Sequence, residues 1–175
     1  MAIDWGSLEN DITSYLEKGK NDKNRTISET CAKIESLYIS AVVSKGMEQY
    51  GNKVSNLSSG PLKASLQSGM EASFRLQSGD PSPLNSSGCS GLLSMWGSAA
   101  MEMIVPPAPT GPVVSNVITN PGIAPPMNIS LNNLLQKEII KALKQHAKTV
   151  SGICTSLVPV GTALVPTPFP WTGIQ

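Results

Sequence analysis

Apolar positions recur at three- and four-residue intervals over most of the chain, and the pattern predicts five main helices. Residues 7–18 place Leu8, Ile12, Tyr15 and Leu16 on one stripe, with Ser7 as the cap and Gly19 with the polar run 20–25 as the stop. Thr26 and Glu29 form a capping box for a second helix, whose stripe runs Ile27, Cys31, Ile34, Tyr38 and Ala41, with Leu37 and Val42 widening it. That helix is expected to reach Tyr50, with Gly51 as its stop. Pro61 opens a third at the favoured first position, followed by Leu62, Leu66, Met70 and Phe74. A fourth is expected over 85–104, burying Leu92, Leu93, Trp96, Ala99, Ala100 and Met103, with Gly88, Gly91 and Gly97 allowing close helix approach. Ser130 caps a fifth, striped by Leu131, Leu134, Leu135, Ile139, Ala142, Leu143, His146 and Val150. Its Lys144 and Lys148 complement the helix dipole, and a short apolar helix across 152–164, started or kinked by Pro159, follows.

The periodicity fails over 105–126, VPPAPTGPVVSNVITNPGIAPP, where seven prolines fall in 22 residues. Proline removes a backbone donor and pushes its predecessor towards extended geometry, so no helix survives there. Val113, Val114, Val117, Ile118 and Ile123 make the stretch apolar, which predicts an extended arm lying on a surface, its own or a neighbour's. The ending VPTPFPWTGIQ has the same character. AAMEMIVPPAPTG at 99–111 and GTALVPTPFPWTG at 161–173 read as a half-repeat of helix end, Val-Pro, alternating prolines and Thr-Gly. The expected fold is therefore all-α: a small bundle of about five helices, with an N-terminal helical region 1–104 and a Pro-rich arm 105–129. A C-terminal helical region 130–165 and an extended tail 166–175 complete it.

Charge changes the picture of what this chain contacts. Charged residues are only 14% of the sequence, against roughly 25% in typical soluble domains. A surface so poor in charge is often covered by partners, although a Ser- and Asn-rich surface would serve too. Lys+Arg of 13 against Asp+Glu of 12 leaves a net charge of +1, which argues against nucleic acid as a partner. No run approaches the ~20 apolar residues of a membrane span. The start, MAIDWGSLENDI, lacks the basic and apolar regions of a signal peptide. Three separated cysteines, Cys31, Cys89 and Cys154, suggest neither a disulfide framework nor a zinc site, and a reducing compartment fits them.

No catalytic chemistry is legible. His146 is the lone histidine, without flanking metal-ligand partners, and reads as a core or interface residue. Gly88-Cys89-Ser90-Gly91 has Leu92 where a nucleophile elbow needs glycine. No phosphate-binding glycine loop occurs, so no cofactor, metal or small-molecule substrate is expected. The remaining signal is apolar and aromatic. Phe169 and Trp171, flanked by Pro168 and Pro170, are expected anchors for a partner, with Val113, Val114 and Ile118 of the arm beside them. The competing expectation is that Trp171 folds back onto its own helices.

Helices followed by extended Pro-rich arms, low charge and segments such as VPPAPTG and ITNPG over 91–173 resemble small virion structural proteins of tailed bacteriophages. The resemblance implies a non-enzymatic subunit of a tail, baseplate or neck, made in the host cytoplasm and resident in the virion. Its partners would be copies of itself and other structural proteins of the particle. The alternative from another class is an intracellular adaptor or effector whose Pro-rich segment binds a partner domain.

Overall fold

A computed structural model describes residues 2–75, 82–84, 86–107, 110–129 and 136–175. Five helices form in it: α1 (Trp5–Gly19), α2 (Ile27–Lys45), α3 (Pro61–Arg75), α4 (Ser86–Gly97) and α5 (Gln136–Thr149). They alternate with strands β1 (Val54–Asn56), β2 (Ser82–Leu84), β3 (Ala100–Met101), β4 (Val113–Asn120), β5 (Met127–Ile129), β6 (Ser151–Val160) and β7 (Ala163–Thr172). The fold is mixed α/β, and the all-α expectation is wrong. Two small antiparallel pairs, β1 with β3 and β2 with β5, accompany a three-stranded antiparallel sheet in the order β4-β6-β7.

The helical half forms as its periodicity dictates. Asp4 rather than Ser7 caps α1, its carboxylate accepting the Ser7 N–H at 2.9 Å. The Thr26–Glu29 capping box at α2 is complete. Helix α2 stops at Lys45, short of Tyr50, because Gly46 turns extended and Met47 exchanges both backbone bonds with Gln175. The N-terminus of α3 is capped from another helix. The buried Glu35 carboxylate of α2 accepts the N–H groups of Gly60 at 2.6 Å and Lys63 at 2.8 Å, two of the orphan donors that a helix start exposes. Gly91 lets α4 cross α3 in backbone contact, since a Cβ there would lie 2.1 Å from the Pro61 carbonyl oxygen. Helix α4 ends at Gly97 rather than Ile104, and Ala100–Met101 pairs with β1 instead. The expected cap Ser130 lies outside the described residues.

The correction falls mainly on 151–172, expected as a short helix and a tail. These residues form a regular hairpin, with ten consecutive pairs from Ser151↔Thr172 to Val160↔Ala163. Two facts of the sequence produce it. Ile153, Thr155, Val158 and Val160 are β-branched and favour a pleated surface. Gly161, at φ +64°, then supplies a two-residue turn with the positive φ that a tight hairpin requires. The arm also joins the sheet: Val113–Asn120 is β4, paired with β6 between two register irregularities. Beyond its end Gly122 takes φ +89°, and its N–H donates to the Asn120 side-chain oxygen at 2.9 Å. The two halves of the suggested repeat differ: 102–104 carry no regular structure, whereas 163–172 are one strand.

One core unites helices and sheet. Ile12, Ile34, Tyr38, Leu62, Leu66, Leu92 and Trp96 fill its helical side, and Cys154, Trp171 and Ile174 bring the sheet into it. Trp96 donates its indole N–H to the Tyr38 hydroxyl at 3.2 Å, so both large polar-tipped rings are buried with a partner.

Candidate interaction surface

Strand parity sorts the side chains of the sheet into two faces. Gly152, Cys154 and Ser156 of β6, Asn116 and Ile118 of β4, and Trp171 and Phe169 of β7 share the inner face. Trp171 is the pivot of that face, 2% exposed. Its indole passes over Gly152, where a Cβ would meet it at 2.3 Å, and donates to the Asn116 amide oxygen at 2.9 Å. Asn116 in turn donates to the Glu102 carbonyl at 3.3 Å. Three strands are thus tied by one side chain, and only glycine at 152 permits it.

Polar groups seal the seam between sheet and helices. The buried Glu48 carboxylate accepts from the backbone of Tyr50 and Asn52 and from the Asn52 side chain. The Asn52 side-chain oxygen takes the Val105 N–H at 2.8 Å. Burial, with the Glu48 charge nearby, pushes the Cys154 thiol up, and burial pushes Cys31 up to about 12. Both stay protonated and inert, since the thiolate is the reactive form. His146 is fully buried, its Nδ1–H donating to the Ile123 carbonyl at 2.8 Å, while Nε2 has no partner among the described residues. Burial holds its pKa below the ordinary value, so the ring is neutral.

The expected interface residues separate on this geometry. Trp171 belongs to the protein's own core. Phe169 is half-buried, edge-on to Tyr50 with ring centroids 6.3 Å apart. Val113 and Ile118 are partly buried against the core. Val114, Pro168 and Pro170 are exposed, and the Pro170 carbonyl accepts from Tyr50 Oη at 3.0 Å and Gln49 Nε2 at 3.3 Å. The structure therefore does not gather the seven into one patch.

What it gathers instead was not singled out from sequence. Beyond Ser156 the hairpin runs past the end of β4 and its inner face emerges: Val165 is 41% and Val160 60% exposed. The outer face carries Val117, Ile153, Leu157, Leu164 and Pro159 with Pro166, Pro168 and Pro170, interspersed with Ser and Thr. Val117 and Leu164 are more than half exposed there, as are Met103 and Ile104 in the segment before β4. Every Asp, Glu, Lys and Arg lies within 4–102 or 137–148, so neither face of this sheet bears a charge. Exposed apolar surface rimmed by charge on one side marks a contact site in soluble proteins. The signal in the sequence was the two charge-free runs, 103–136 and 149–175.

The surface clefts are small. One of about 210 Å³ lies between α1 and α2, lined by Asp4, Asp11, Ser40, Ser44 and Lys45. Another of about 280 Å³ lies among Leu16, Arg25, Ile27 and Met70. No group of three metal-ligating side chains occurs among the described residues, and no described helix is long and apolar enough to cross a membrane. Comparison with protein-family models, with curated proteins and with solved structures finds no match.

Proposed function

We propose that this chain is a non-enzymatic structural subunit that works in multiple copies, bound to neighbouring subunits through its uncharged sheet and projecting hairpin. On the resemblance stated above, the assembly is the tail, baseplate or neck of a tailed phage particle. The observation that carries the reading is the segregation of charge. Residues 4–102 and 137–148, the helices with their connecting loops, bear all of it, and the three-stranded sheet, with its exposed Val117, Val160, Leu164 and Val165, bears none. Burying such a face against a partner gains about 25 cal/mol per Å² of apolar area without desolvating an ion. An adaptor offering 105–126 as a free proline-rich ligand fits less well, because Val113–Asn120 is hydrogen-bonded to β6.

Sedimentation of the untagged protein from its native lysate tests the reading. Recovery in a particle far larger than the 18.4 kDa chain is the expected result. Recovery only as a free monomer would overturn it.

A further inference from the structure

All four prolines of the hairpin sit where the backbone points away from its ladder. Leu157 exchanges backbone bonds with Gly111 and Pro112, so it and the other odd-numbered residues of β6 face the β4 side, and the even-numbered residues between them face β7. The register then turns residues 163, 165, 167, 169 and 171 of β7 towards β6, and 164, 166, 168, 170 and 172 outward. Pro166, Pro168 and Pro170 are all outward, and Pro159 is on the outward parity of β6 beyond the end of β4. The Pro170 carbonyl, reached by Tyr50 and Gln49, confirms the direction independently. From 165 to 171 the outer edge of β7 thus carries carbonyl acceptors, that of Pro170 already taken by Tyr50 and Gln49, and not one N–H donor.

An exposed, charge-free strand of this length would otherwise be a template for pairing with another chain, and natural sheets blunt such edges with proline. We infer that Pro159, Pro166, Pro168 and Pro170 close the two edges of the hairpin to strand addition by another chain. The closure goes beyond the proposed function and does not depend on it.

The test restores the donors with P159T/P166T/P168T/P170T, threonine being a good strand former. Sedimentation velocity and thioflavin T fluorescence are followed over days beside the wild type. The variant is expected to lose the wild-type species to larger, thioflavin-positive, β-rich assemblies. A folded variant that keeps the wild-type size distribution and stays thioflavin-negative would overturn the inference. Should the quadruple variant not fold, P168T is read by amide hydrogen exchange in dilute solution. The amide at 168 is expected to exchange within about tenfold of an unstructured peptide, and strong protection there would overturn the outward assignment. V160K/L164K reads the faces separately. If it leaves particle association unchanged, the proposed function fails while the edge result stands.

Discussion

The helical and the sheet sides of this molecule share one core yet solve different problems. On the helical side, apolar stripes face inward and most charge faces out, Glu35 and Glu48 being buried, with helix ends satisfied by Asp4, by the Thr26–Glu29 box and by the Glu35 carboxylate. Its surface keeps water. The sheet side puts one face into the core around Trp171 and leaves the other, with the hairpin tip, apolar and without a single charge. Charge is confined to one side. The chain's low charge content is therefore not spread thinly over the whole molecule but is the average of an ordinarily charged part and a charge-free one.

The largest effect is expected where the two sides are joined. Trp171→Ala deletes the side chain that ties β7 across Gly152 to Asn116. It should cost about 3–5 kcal/mol, as large aromatic truncations in cores do, measured by chemical denaturation. A loss under about 1 kcal/mol would show that the sheet is not part of the cooperative unit. Next, Glu35→Ala leaves the Gly60 and Lys63 N–H groups at the start of α3 without their acceptor. A loss of roughly 1–3 kcal/mol is expected, with α3 amides losing exchange protection first.

A smaller effect is set by pH. Burial keeps His146 neutral, with its pKa below the ordinary value of 6.5. The unfolded chain therefore binds the proton first as pH falls. The histidine's contribution is fully present above that ordinary value and is lost as pH drops through the depressed one. His146→Phe should flatten the stability curve below pH 6.5, and an unchanged slope would assign the dependence to carboxylates instead. The smallest expected change in stability, within about 0.5 kcal/mol, belongs to V160K/L164K at the exposed tip.

The helical side was largely legible in sequence, because a 3.6-residue stripe over twelve or more residues leaves little choice, as α2 and α3 show. The hairpin was not, for a physical reason. An apolar run such as Gly152–Val160 fits a buried strand and a buried helix equally by periodicity, and its prolines argued against regular structure of either kind. Their spacing held the answer. Prolines at 166, 168 and 170 repeat with the period of a strand, and only an edge strand accommodates them, every missing N–H pointing outward. The candidate contact surface was half legible. Low charge was noticed, but its confinement to two runs acquires meaning only when β4, β6 and β7 bring those runs together. Trp171, for which the sequence left both a partner's pocket and its own helices open, is buried in the core of its own chain.

The most direct measurement compares sedimentation of wild type and V160K/L164K from matched native lysates, alongside their thermal unfolding. Equal melting temperatures are expected, with the wild type in a large particle and the variant left at the top of the gradient. A variant that melts like the wild type and still enters the particle would contradict the assignment of the uncharged hairpin as the contact.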